Sequence, residues 1–142
     1  RISRLVLPDR TGKSPEELYD IDPTPIGSGA YGTVRTVTRK ANGRHLVMKT
    51  MDKESLPDVD RLLNEIRIQM DLDHPHVCKI FDTFEDDMKI YIVLESCKGG
   101  ELLDFISSKS TFTELDAFIV MRQVMMAVRY IHGKGIAHRD IK

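Results

Sequence analysis

Ile26-Gly27-Ser28-Gly29-Ala30-Tyr31-Gly32-Thr33-Val34, running on through Arg35-Thr36-Val37-Thr38, is the stretch that decides the fold of this 142-residue chain. Its glycines follow the spacing G-x-G-x-x-G-x-V. Glycines at that spacing open a helix after a strand in dinucleotide-binding folds. Here a run rich in β-branched residues follows Gly32 instead, and then Asn42-Gly43, a strong hairpin signal. The context therefore predicts a β-turn-β flap. Glycines without side chains let backbone N–H groups come close to phosphate oxygens. A glycine-rich hairpin with no ligand fits the motif equally well, and the motif alone leaves both open.

Working outward, strand signals begin near Tyr19 to Ile26, and Leu46-Val47-Met48 makes a third strand. Residues 22–50 thus read as three consecutive antiparallel strands, with Asn42-Gly43 at the centre of a type I′ turn. Over residues 56–72 the period changes: Leu62, Leu63, Ile66 and Met70 recur at helical spacing. His74-Pro75 stops that helix, because the residue before proline avoids the α region. Two more strands are expected around Val77–Phe84 and Ile90–Leu94, with Asp86-Asp87 turning between them. Lys98-Gly99-Gly100 breaks regular structure, and Glu101–Ile106 reads as a short helix. Thr113 and Asp116 form a capping-box start. The helix they open runs to about Gly133 and is apolar around much of its circumference, which predicts burial, with Met121, Met125 and Met126 as core filler. The expected class is α+β: five antiparallel strands with one inserted helix, then helices, in two lobes joined near residues 95–99.

Residues 1–21 read as an extension, punctuated by Pro8, Gly12 and Pro15. Gly12-Lys13-Ser14 resembles the end of a Walker A loop, but Leu7 stands where its first glycine belongs, so a polar turn is the reading. Lys plus Arg is 21 and Asp plus Glu 22, a net charge of −1, which excludes a globally basic nucleic-acid binder. No apolar run is long enough for a membrane span. Cys78 and Cys97 stand in no CxxC pattern, so neither a disulfide scaffold nor a zinc site is expected. Arg1 is followed by no signal-peptide pattern. The expectation is a cytoplasmic chain cut from something longer, with nuclear or membrane association left to regions outside it. His74-Pro75-His76 reads as a helix-stop loop rather than a metal pair, and Arg35, Arg39, Lys40 and Arg44 as a solvated strand edge.

Three further features bear on chemistry. Lys49 follows Leu46-Val47-Met48 and by itself guards a strand edge. Glu65, mid-helix, by itself faces solvent. Together they offer a pair in which the carboxylate fixes and charges a lysine that presents its ammonium to a polyphosphate. His138-Arg139-Asp140-Ile141-Lys142 places a carboxylate on a loop, where it can accept a proton from an attacking hydroxyl, or be a plain surface tripeptide.

Glycine flap, strand lysine, helix glutamate, Gly-Gly break, capped helix and H-R-D in this order resemble the protein-kinase family over about residues 22–142. The resemblance implies its two-lobe fold, with a nucleotide-binding N-lobe over 22–96 and hinge and partial C-lobe over 97–142. It implies that Ile26 and Val34 cover adenine and that the loop Gly27, Ser28, Gly29, Ala30, Tyr31, Gly32 lies over the phosphates. Lys49 contacts the α- and β-phosphates and pairs with Glu65. Leu94 is the gatekeeper, and Glu95 and Cys97 bind adenine through their backbone. Asp140 is the catalytic base, Lys142 contacts the γ-phosphate as in Ser/Thr kinases, and Glu101 takes ribose or a substrate arginine. Val47 replaces a frequent alanine on the adenine ceiling.

The implied cofactors are ATP and magnesium, and the implied partner is a protein substrate carrying Ser or Thr. The family's metal-holding asparagine and D-F-G aspartate fall past Lys142. The expectation is that these 142 residues alone transfer no phosphate at a useful rate. Gly99-Gly100-Glu101-Leu102-Leu103-Asp104 and the run from His132 to Asp140 resemble the calcium/calmodulin-dependent and calcium-dependent kinases, whose calcium-sensing region would lie downstream. The competing readings are a non-catalytic kinase-like module that binds nucleotide or a partner, and a dinucleotide-dependent oxidoreductase, which the β-branched run disfavours.

Overall fold

The computed structural model describes residues 13–29 and 32–141; the expectations for residues 1–12, Ala30, Tyr31 and Lys142 lie outside the described residues. Two compact units result. One holds the described residues up to Asp71 together with Lys79–Ser96, and the other holds Leu72–Cys78 and the described residues from Cys97 onward.

The first unit opens with a single helical turn, α1 (Pro15–Leu18), and continues with β1 (Tyr19–Gly29), β2 (Gly32–Arg39), β3 (His45–Asp52), α2 (Val59–Met70), β4 (Ile80–Glu85) and β5 (Lys89–Leu94). The strands form one antiparallel sheet in the order β1-β2-β3-β5-β4. Side chains alternate across a strand, so register assigns each residue to a face. Tyr19, Val37, Leu46, Met48, Phe84 and Val93 bury one face as a continuous core. On the other, Met51, Ile80, Ile90 and Ile92 pack against Leu63 and Ile66 of α2. That helix forms because its apolar residues recur every three or four positions and because the Asp58 side chain accepts the Arg61 N–H at 2.9 Å as an N-cap.

Three expectations are corrected in this unit. β1 starts at Tyr19, where its strand signal begins, opposite Arg39, and Tyr19 is only 1% exposed. Glu17 caps the turn before it by accepting the Ser14 backbone N–H at 2.9 Å, and the Ser-x-x-Glu spacing is its sequence signal. Arg39 is not a solvated edge cation. It pairs with buried Asp82, donates to the Tyr19 hydroxyl at 3.1 and 2.8 Å, and Tyr19 donates to Asp82 in turn. β4 starts at Ile80 rather than Val77, and a bulge between Ile80 and Asp82 lets Asp82 reach this face. The β2–β3 connection is a five-residue loop, residues 40–44, not a type I′ turn. Gly43 alone takes a left-handed φ, 68°, and donates to the Arg39 carbonyl at 2.8 Å. Asn42 instead uses its side chain to accept the Arg44 N–H at 3.1 Å.

The second unit holds α3 (Leu102–Ser108) and α4 (Glu114–Gly133). The Thr113–Asp116 capping box is present as expected. The Thr113 backbone N–H, then Lys109, hold the Asp116 carboxyl down at about 2. Gly135, at φ 75°, closes α4 with a Schellman arrangement: its N–H donates to the His132 carbonyl at 2.9 Å, and that of Ile136 to the Ile131 carbonyl at 3.0 Å. His74 and His76 form no metal pair. His74 stacks on Tyr130 at 4.9 Å between ring centres, and the Tyr130 hydroxyl accepts the Asp73 N–H at 2.9 Å.

Burial of α4 is the expectation that fails. Leu115 and Phe118 are 67% and 62% exposed, Ile119, Met121, Met125 and Met126 are exposed as well, and Ile131 is its one buried residue. The described part of this unit has no sheet, and the Leu72–Cys78 segment meets α4 at Tyr130. All-round apolarity records what a helix could bury, not how much of it is covered.

Candidate functional site

The glycine stretch is the turn between β1 and β2, with Gly27 opposite Val34, Ser28 opposite Thr33 and Gly29 opposite Gly32. Its glycines are there for different reasons. A β-carbon on Gly32 would lie 1.8 Å from the Thr50 carbonyl oxygen, and its φ is 150°, so the fold itself forbids a side chain. At Gly29 an added β-carbon meets nothing within 4 Å, and at Gly27 only an ordinary contact with Val34 at 3.9 Å. Packing against the described residues does not explain the missing side chains at Gly27 and Gly29.

Register brings several expected site residues to one face of the sheet. Val34 pairs with Lys49, Lys49 with Ile92, and Val47 with Leu94. Residues directly opposite one another project to the same side, so Val34, Val47, Lys49 and Leu94 share the face on which α2 packs. All four are half-buried, an apolar wall around one ammonium stem. Ile26, at the outer strand, is 60% exposed. The Glu95 N–H donates to the Lys79 carbonyl at 2.9 Å, extending the ladder by one bond past Leu94.

The expected Lys49–Glu65 pair is not made. Glu65 instead accepts from Arg61 Nε at 3.1 Å, one turn earlier on α2, with both side chains more than half exposed. Lys49 forms no ion pair among the described residues. The physical reason is a nearer partner on the same helix. Arg61 and Glu65 are neighbours on one helix surface, whereas Lys49 would need the carboxylate to turn inward.

The remaining site residues lie in the second unit. Cys97 is an exposed free thiol. Gly100, at φ 74°, precedes Glu101, the N-cap residue of α3, whose side chain makes no cap bond. Asp140 is exposed on the loop after α4, and its N–H donates to His138 Nδ1 at 3.2 Å. Arg139 beside it has φ 63°, the only left-handed non-glycine among the described residues. A non-glycine held there costs energy and clusters at functional loops. Nothing in the sequence signals that strain, whereas the i,i+4 spacing of Arg61 and Glu65 does signal their pairing. No group of three or more His, Cys, Asp or Glu side chains among the described residues could hold a metal ion. No helix among them is long and apolar enough to cross a membrane.

The model of the protein kinase domain matches residues 22–142. Calcium-dependent protein kinase 5 of Plasmodium berghei is 39% identical over 127 residues, 89% of this chain and 23% of that protein. Calcium/calmodulin-dependent protein kinase type 1 of Macrobrachium nipponense is 40% identical over 119 residues, 82% of this chain and 34% of that protein. The chain therefore spans between about a fifth and a third of the curated relatives it matches. The crystal structure of Rad53 1-466 in complex with AMP-PNP superimposes with a TM-score of 0.77 at 29% identity, over 89% of this chain and 33% of that one. The expected five-stranded antiparallel sheet with its helices is the fold observed, and the expected likeness to calcium-dependent and calmodulin-dependent kinases stands with it. A flap of glycines followed by strand rather than helix is thus read correctly, and over residues 22–142 this chain belongs to the protein kinase family.

Proposed function

We propose that this chain is the nucleotide-holding and proton-accepting part of a protein Ser/Thr kinase that uses ATP. One observation carries the reading: Lys49 shares a sheet face with Val34, Val47 and Leu94, beside a glycine turn whose Gly27 and Gly29 leave room that none of the described residues fills. That vacant room fits a polyphosphate approached by backbone N–H groups, and the apolar wall fits a flat base.

Bound ATP supplies the transferable γ-phosphoryl group. Backbone N–H groups of Gly27–Gly32 hold the phosphates, and the Lys49 ammonium orients the α- and β-phosphates and offsets their charge. Val34 and Val47 cover adenine from the sheet, Ile26 from the outer strand, with Leu94 as gatekeeper. The Glu95 N–H is already used in the ladder, so adenine recognition there falls to its carbonyl, with Cys97 contributing its backbone. Asp140 accepts the proton of a Ser or Thr hydroxyl as it attacks, and Lys142 steadies the γ-phosphate. Glu101, unused as a cap, is available to ribose or to a substrate arginine. The likeness to calcium-dependent relatives supports a calcium-sensing region elsewhere in the protein, and the cytoplasm, where ATP and reduced thiols such as Cys97 coexist, is the compartment proposed.

The full-length protein tests this. Lys49→Met is expected to cut phosphoryl transfer by about 10²–10³-fold with an unchanged urea midpoint, the loss typical of removing one preorganised electrostatic donor. Asp140→Asn is expected to lower kcat and leave AMP-PNP affinity intact. Unchanged transfer in Lys49→Met removes Lys49 from its role. A second reading, a kinase-like module that binds nucleotide without transferring phosphate, is favoured by Glu65 resting on Arg61 rather than bracing Lys49. AMP-PNP binding without transfer to any peptide would select it.

A further inference from the structure

We infer that Arg61 is a positioning residue that competes with Lys49 for Glu65 and so holds the proposed nucleotide site partly disengaged. The inference rests on the kinase reading above and adds a control to the same site. Its basis is the placement of three charges. Lys49 lies on the sheet face that α2 covers, two residues before Met51, which packs directly on Leu63 and Ile66 of that helix. Glu65 sits at the flank of the helix's apolar stripe. At about 100° per residue it lies about 60° beyond Leu62, and Arg61 about 40° further toward solvent. From that flank a glutamate side chain swings either inward, toward the face that carries Lys49, or outward. In the structure it is outward, on Arg61 Nε at 3.1 Å, and Lys49 has no ion pair among the described residues.

The two arrangements differ by one exchange of partners, and the carboxylate serves one cation well at a time. An exposed Arg–Glu pair at i,i+4 is a weak hold, shifting an equilibrium about twofold, and its order here, with the cation first, is the weaker of the two. It is screened by salt, whereas a half-buried pair is screened less. Arg61 thus biases the choice without locking it. Asp58 caps the helix through the Arg61 backbone N–H, not its side chain, so changing that side chain leaves the cap in place.

The test is steady-state kinetics and AMP-PNP affinity of the full-length protein. Arg61→Gln, chosen because glutamine and arginine have similar helix propensity, is expected to raise kcat/KM for ATP about twofold at low salt. Arg61→Lys keeps a cation and is expected to behave like the parent. Raising salt is expected to increase kcat/KM in the parent relative to Arg61→Gln. In a Glu65→Gln background, Arg61→Gln is expected to change nothing, because the contested carboxylate is gone; a merely structural effect on the helix would persist there. Unchanged or lowered kcat/KM in Arg61→Gln overturns the inference, as does a gain that survives Glu65→Gln. A parent in which Lys49→Met has no effect overturns the functional reading instead, so the two failures are told apart.

Discussion

One face of the five-stranded sheet is closed, with Tyr19, Val37, Leu46, Met48, Phe84 and Val93 buried together. The other carries α2 over its far end and leaves Val34, Val47, Lys49 and Leu94 half-exposed beside the glycine turn. The closed face satisfies its charges internally: Arg39, Asp82 and Tyr19 serve one another. On the open face, Lys49 has no ionic partner among the described residues, and the carboxylate expected to brace it is held by Arg61. Both faces come from the same strands, residue by alternate residue. A buried charge without a partner is costly, so a face that must be stable pairs every ion it covers. A face that must receive a ligand keeps a charge in reserve at modest cost, because water reaches it until the ligand does.

That contrast can be broken from the closed side with the largest effect. Asp82→Ala strands Arg39 and the Tyr19 hydroxyl in a site where Asp82 itself is only 4% exposed. The expected loss is about 2–4 kcal/mol, somewhat discounted because Arg39 keeps some contact with water. Urea denaturation of the variant measures it, and a loss comparable to a surface substitution would mean that the cluster is not what closes this face.

The glycines sharpen the same contrast at a smaller scale. Gly32→Ala drives a β-carbon onto the Thr50 carbonyl and is expected to cost about 1–3 kcal/mol of stability. Gly27→Ala has room and is expected to change stability by less than about 0.5 kcal/mol, yet to weaken AMP-PNP binding severalfold by standing where the phosphates approach. Paired urea melts and binding isotherms separate these outcomes. Equal stability losses would show that packing, not ligand, accounts for both glycines.

The last expected effect is absent at neutral pH and appears only in alkali. Burial and the hydrogen bond to Asp82 push the Tyr19 hydroxyl up to about 12, and burial and Asp86 do the same for Tyr91, which packs on the same face. An unfolded tyrosine ionises near its ordinary value of about 10. Below that pH the contribution of both groups to stability is fully present. Above it the unfolded chain gives up protons that the folded chain keeps, so stability falls as pH rises toward about 12. Phenolate absorbance followed against pH, with urea midpoints alongside, checks this, and a flat midpoint profile across the window would contradict it.

The order of strands and helices, the capping box at Thr113 and the glycine turn were legible in the chain because each depends on residues close in sequence: side-chain period, turn chemistry, a cap and its third neighbour. The placement of Val34, Val47, Lys49 and Leu94 on one face follows from the register, which the structure supplies. What failed to be legible depends on which distant groups arrive together. Arg39 looks like an edge cation until the bulge in β4 delivers Asp82 to it. The apolar α4 looks buried until its described surroundings are seen to cover little beyond Ile131.

By itself, then, the sequence determined the element order, the flap and the family to which they belong, since backbone preferences and short-range patterns act along the chain. Only the tertiary structure decided which cation holds Glu65, which glycine is forbidden a side chain by Thr50 and which face of the sheet stays open. Long charged side chains choose among several partners of nearly equal energy, and that choice is set by distance in space, which the spacing of residues along the chain does not contain.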